Sequence, residues 1–197
     1  MFLELLNIFL PAGKRRILRR KLRDAVEATL LPALQEIGFT RIAKSRVPGF
    51  GNATSYPFGV LMRERDGFVD TVQIQFEKYG NPTFHVMFGT VPPDGLPGID
   101  GQRSQSEIVK EGGFAPNALG SRRRGIGSFT VGWIHSTEMQ PALRVAGRAA
   151  RMVPRIDSYL RNGTPVAGIY DGVAVYHEGL EIIRRRRAQI SRRHGEV

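Results

Sequence analysis

Arg144, Arg148, Arg151 and Arg155 recur at steps of four, three and four residues. On a helix that spacing places four guanidinium groups within about 60° of arc. Leu143, Ala146, Ala150, Val153, Ile156 and Leu160 fall on the opposite side, so one face reads as core and the other as a continuous cationic row. Guanidinium binds phosphate and carboxylate through paired N–H donors, so such a row suits polyanion recognition. Like charges at neighbouring turns repel by roughly 0.2–0.5 kcal/mol per pair, and no carboxylate interrupts the row to relieve them. A solvated, arginine-rich helix face is the plainer alternative. Pro154 bears on the choice, because a kink there takes Arg155 out of line.

Three further basic segments could assist. Arg122, Arg123 and Arg124 lie between Gly120 and Gly125, where a basic loop could follow a phosphate backbone with salt-sensitive affinity. Arg184, Arg185 and Arg187 belong to the closing stretch "EIIRRRRAQISRRHGEV". Consecutive arginines point around a helix in all directions, so this tail reads as an auxiliary electrostatic arm. At the other end, "MFLELLNIFLP" precedes "KRRILRRKLR". Its apolar run is too short to span a bilayer, and its cations follow that run, whereas a secretory signal places them before it. Phe2, Leu5 and Leu6 with Lys14, Arg15 and Arg19 therefore read as an amphipathic helix that packs on the domain, on a partner or on an anionic membrane surface.

Signals for catalysis are weak. His85, His135, His177 and His194 lack metal-ligand spacing, and Gly125-Ile126-Gly127 lacks the third glycine and preceding strand of a dinucleotide fingerprint. No G-x-S-x-G or Walker A pattern occurs. The absence of cysteine removes disulfides, thiolate zinc sites and a thiol nucleophile. The chain reads as non-enzymatic, with no cofactor and no metal, and its lack of cysteine fits a cytoplasmic location.

Net charge is +11, from 29 Lys+Arg against 18 Asp+Glu. Its distribution says more than its size. Lys14–Arg23, Arg122–Arg124, Arg144–Arg161 and Arg184–Arg193 together hold 21 of the 29 cations, whereas Phe39–Gly120 balances eight cations with eight anions. A partner drawn by charge should therefore meet the helical flanks and one loop.

The elements that position these residues follow from periodicity. Leu18, Leu22, Val26, Leu30, Leu34 and Ile37 form one helical stripe within Lys14–Ile37, with Gly38 placed to end it and Pro32 expected to kink or break it near Leu31. Asp66-Gly67 and Asn81-Pro82 then separate three alternating segments, "YPFGVLMRER", "FVDTVQIQFEKY" and "TFHVMFGTV", which predict an antiparallel meander. Val91–Ser128 holds eight glycines and four prolines, with capping-box spacing at Ser104 and Glu107 its main regular signal. Such a stretch is usually functional or mobile. "SFTVGWIH" predicts a fourth strand, Thr137–Asn162 a helix capped by Ser136 or Thr137, and Ile169–Tyr176 a last strand.

"LLPALQEIGFTRI", "VQIQFEKYGNPTFHVMFGT" and "FTVGWIH" before an amphipathic helix resemble the DUF 4304 group, a bacterial family of unknown function. The likeness covers about residues 25–162. It implies the fold and no activity.

The expectation is a single α+β domain over 1–197: an antiparallel meander of about four to five strands covered by two long helices. A basic N-terminal extension occupies 1–23, the core 24–176 and an Arg-rich helix or tail 177–197. The expected function is a basic module that binds a polyanion, foremost nucleic acid. Alternatives are an immunity-type or complex-forming module for an acidic protein surface, and peripheral membrane attachment through the N-terminal helix.

Overall fold

The computed structural model of this chain describes residues 11–42, 55–77, 80–98, 101–120, 127–132, 137–163 and 167–170. The first element, α1 (Ala12–Glu36), buries Leu18, Leu22, Ala25, Val26, Leu30 and Leu34. It ends in a Schellman turn: Gly38 N–H donates to Gln35 O at 2.9 Å and Phe39 N–H to Leu34 O at 3.1 Å. Gly38 adopts φ +92°, a conformation that only glycine enters without strain. The helix continues through Pro32 instead of breaking near Leu31. Pro32 is exposed, so water can satisfy the carbonyl that loses its bond, while buried Leu30, Leu31 and Leu34 hold the turn in place. Residue 23, where the N-terminal extension was expected to end, lies inside this one helix.

Among the described residues, seven strands form an antiparallel sheet: β1 (Thr40–Arg41), β2 (Val60–Arg65), β3 (Phe68–Phe76), β4 (Thr83–Val91), β7 (Asn117–Leu119), β8 (Ser128–Thr130) and β9 (Ile169–Tyr170). Two more, β5 (Leu96–Gly98) and β6 (Gly101–Arg103), make a separate hairpin. The expected meander is β2–β3–β4, with Asp66 (φ 51°) and Gly67 (φ 77°) in the first turn. Strand β4 is the branch point. Its Val86–Phe88 half pairs with β7 and its Thr83–His85 half with β8.

Alternation decides which residues face which layer. Leu61, Val72, Ile74, Phe76, Phe84, Val86 and Phe88 form one core with α1 and two later helices, α3 (Met139–Ala150) and α4 (Val153–Asn162). Within it, Phe58, Phe76, Phe84 and Phe129 make a row across the strands, with successive ring centroids 6.3, 5.7 and 5.1 Å apart.

The opposite sheet face is also covered, which the sequence did not suggest. Val60, Met62, Val69 and Val91 pack with Leu96 of β5 and with Ile108 of a short helix, α2 (Gln105–Lys110). Thr71 Oγ1 donates to Phe114 O at 2.7 Å and Gln73 Nε2 to Gly112 O at 3.0 Å. The described part of the glycine-rich stretch is thus a second cover, anchored by the expected Ser104–Glu107 capping box. Hydrogen bonds from Ser104 hold the Glu107 carboxyl below its ordinary pKa.

Candidate functional site

The arginine row begins on α3. Pro141, Ala142, Val145, Ala146 and Ala149 turn inward, and the four-three spacing leaves Arg144, Arg148 and Arg151 exposed on the other side. The N-cap is Glu138, without a side-chain cap bond, rather than Thr137; Ser136 lies outside the described residues.

The single helix expected over Thr137–Asn162 is two helices. Pro154 cannot donate to the carbonyl four residues back, and its ring crowds that carbonyl. The chain therefore ends α3 at Ala150 and restarts α4 at Val153, where a proline in the first turn costs nothing. Arg151, the C-cap, keeps near-helical angles (φ −62°, ψ −15°) and extends the row. Arg155 does not. Its Nη1 donates to Ala167 O at 2.6 Å and ties α4 to the turn before β9.

The N-terminal basic run divides by helix face. Arg19 points inward, its Nη1 donating to Glu77 O at 2.6 Å and Asn81 O at 3.2 Å, with the guanidinium 5.3 Å from the Phe76 ring centre. Burial lowers its pKa, and the nearby Glu77 carboxylate partly offsets that. Lys14 and Arg15 are half-buried, while Arg16, Arg20 and Arg23 are exposed. Arg23 meets Asp24 at 3.2 Å. Arg16, Arg20, Arg144 and Arg151 have no carboxylate partner among the described residues.

Arg122, Arg123, Arg124, Arg184, Arg185, Arg187, Phe2, Leu5 and Leu6 lie outside the described residues. The two ends of the first basic loop are nonetheless defined. Gly120 and Gly127 pack backbone to backbone, so that a Cβ built on Gly120 would sit 2.0 Å from Gly127 Cα. Gly120 N–H also donates to Gly168 O at 2.8 Å, and a Cβ on Gly168 would lie 3.2 Å from Arg155 Nη1. The glycine neck and the α3–α4 junction are therefore neighbours.

A charged cluster that sequence reading missed sits on the helix-facing side of the sheet. Arg63 Nη2 meets Asp70 Oδ2 at 2.8 Å, with side chains 7% and 0% exposed. Arg63 Nη1 donates to Asp157 Oδ1 at 2.6 Å and to Ile37 O at 2.7 Å. Arg65 Nη2 reaches Leu160 O at 2.8 Å and Asp70 Oδ2 at 3.3 Å, and Thr90 Oγ1 donates to Asp70 Oδ1. Arg161 Nε completes the group against Asp157 Oδ2 at 2.9 Å. Burial pushes the Asp157 carboxyl upward, but the hydrogen bonds from Arg63 and Arg161 outweigh it and hold its pKa below the ordinary value. The cluster joins the end of α1, three strands and α4; it is a fastening with every acceptor engaged.

Among the described residues, no group of three or more His, Cys, Asp or Glu is arranged to hold a metal ion. His85 Nε2 lies 3.0 Å from Glu77 Oε1; His135, His177 and His194 fall outside the described residues. No helix of the described residues is long and apolar enough to cross a membrane. No family model, curated protein or solved structure matches the chain, so the likeness to the DUF 4304 group rests on its residue pattern alone.

Proposed function

We propose that this chain is a non-enzymatic module that binds nucleic acid through the phosphate backbone. One observation supports the reading above the rest: Arg144, Arg148 and Arg151 are all exposed on the side of α3 opposite its buried stripe. Three guanidinium groups held at successive turns of a packed helix are pre-positioned for phosphate oxygens, which lowers the ordering cost of binding. Non-specific binding of this kind is dominated by counterion release, so log affinity falls steeply with log salt.

The test is a salt titration of binding to a labelled nucleic acid, with the wild type beside Arg144→Glu/Arg148→Glu/Arg151→Glu. The reversal should remove most of the affinity. Unchanged binding by the variant, or none by the wild type, excludes α3 as the site. A pull-down with and without nuclease separates this reading from an acidic protein partner, whose capture would survive the nuclease.

A further inference from the structure

Helix α1 repeats the arrangement of α3. Arg16, Arg20 and Arg23 are spaced by four and three residues, as are Arg144, Arg148 and Arg151. Both triplets are exposed. At about 100° per residue, each triplet lies opposite the residues buried at the same turns, Leu18, Leu22 and Ala25 on α1 and Ala142, Val145, Ala146 and Ala149 on α3. The two helices pack directly on each other within one core. Both helices bury into the one core on the same face of the sheet, so their exposed sides turn away from that sheet together.

We infer that Arg16, Arg20 and Arg23 form a second phosphate track beside that of α3, and that the ligand is a nucleic-acid duplex. This rests on the reading above and adds to it both a set of residues and a class of nucleic acid. Each track is about 10 Å long, at 1.5 Å rise per residue, and so meets roughly two or three successive phosphates of one strand. A single strand presents one phosphate row. A duplex presents two, flanking a groove, which is what two adjacent cationic tracks on one helical layer can meet together. Binding through phosphate contacts carries no direct sequence information. Arg23 takes part by exchanging Asp24 for phosphate, since that pair is exposed on both sides (49% and 43%) and worth little in water.

The experiment compares the full-length wild type with two double variants by fluorescence anisotropy on a labelled duplex of random sequence. Arg16→Gln/Arg20→Gln removes two charges from the α1 track. Arg103→Gln/Lys110→Gln removes two from the cover on the opposite sheet face. The α1 double should reduce the slope of log K against log salt by about 1.8, at roughly 0.9 per phosphate contact, while the control leaves it nearly unchanged. Equal slope changes in the two doubles overturn the second track. So does an α1 double that binds like wild type while the α3 reversal abolishes binding, an outcome that leaves the primary reading intact. A single strand bound as tightly as the duplex overturns the duplex assignment. Binding to anionic phospholipid vesicles with none to the duplex overturns both proposals.

Discussion

Arg63 and Asp70 face each other across the β2–β3 pair, joined at 2.8 Å with side chains 7% and 0% exposed. Both charges are almost sealed from bulk water, so they depend on protein partners for solvation. The wider cluster adds Thr90 and Arg65 to the carboxylate, and Asp157 and the end of α1 to the guanidinium.

Removing one partner should therefore cost far more than removing both. Asp70→Leu should lower unfolding free energy by about 3–5 kcal/mol, because buried Arg63 loses the carboxylate on its Nη2 and Nε and keeps only Asp157 and Ile37 O on Nη1. Replacing the pair by apolar residues, Arg63→Met with Asp70→Leu, should recover much of that loss. Urea unfolding of the two singles and the double forms the cycle. A double as unstable as the sum of its singles would mean that the pair is not energetically coupled.

Asp157 gives the cluster a pH dependence. Its carboxyl titrates lower in the folded chain than in the unfolded one, so its contribution is fully present above the unfolded value of about 3.9. That contribution is lost as pH falls through the folded value. Asp157→Asn should be less stable than wild type at neutral pH by about 1.5–3 kcal/mol, the range for hydrogen bonds to charged groups. The gap should narrow below about pH 4. Thermal unfolding of both proteins across an acid series checks this, and a gap independent of pH would sink it.

Gly38→Ala should cost about 1–2 kcal/mol, since the left-handed conformation is strained for a residue with Cβ. The added carbon would also press on Arg63 Cδ at 3.3 Å, linking the end of α1 to the buried cluster. A stability within error of wild type in chemical denaturation would show that the Schellman turn relaxes freely.

Two further glycines should respond in opposite directions. A Cβ on Gly147 would meet only Arg151 Nη1, at 3.7 Å, so Gly147→Ala should stabilise α3 by about 0.5–1 kcal/mol. On Gly127 it would fall 1.9 Å from Leu119 O, and Gly127→Ala should destabilise by about 1–3 kcal/mol through overpacking. Melting temperatures on either side of wild type are the expected readout; a Gly127→Ala variant as stable as wild type would contradict the close approach at the neck, and a destabilised Gly147→Ala would contradict the open space on α3.

Much of the fold was legible because local chemistry agreed with the tertiary answer. The leucine stripe of α1, the Asp66-Gly67 turn and the Ser104–Glu107 cap each depend on a few neighbouring residues. The same holds for the exposure of Arg144, Arg148 and Arg151, which follows from the period of α3. Legibility failed where partners are distant. A buried Arg63 reads in sequence like any strand-end cation, because Asp70 and Asp157 become its partners only once three elements meet. The cover over the second sheet face was hidden for a related reason: Leu96 and Phe114 are isolated among glycines and prolines, and Ile108 lies in a single helical turn, with no period to reveal a packed face. Arg16, Arg20 and Arg23 were visible in principle. Their four-three spacing was masked by Lys14, Arg15, Arg19 and Lys21, which fill the other faces of the same turns.

The Arg63–Asp157 and Arg65–Leu160 bonds close across 94 and 95 positions. That separation makes early closure costly and favours one order of assembly. The β2–β3 hairpin, closed over a two-residue turn, can form early with Arg63 and Asp70 still hydrated. Only when α4 docks is the pair sealed from water and held by its last acceptors. Changes at Asp157 should then speed unfolding while leaving the refolding rate almost untouched, as expected for contacts made after the transition state. Such rates would mark the cluster as a latch on the finished molecule, outside its folding nucleus.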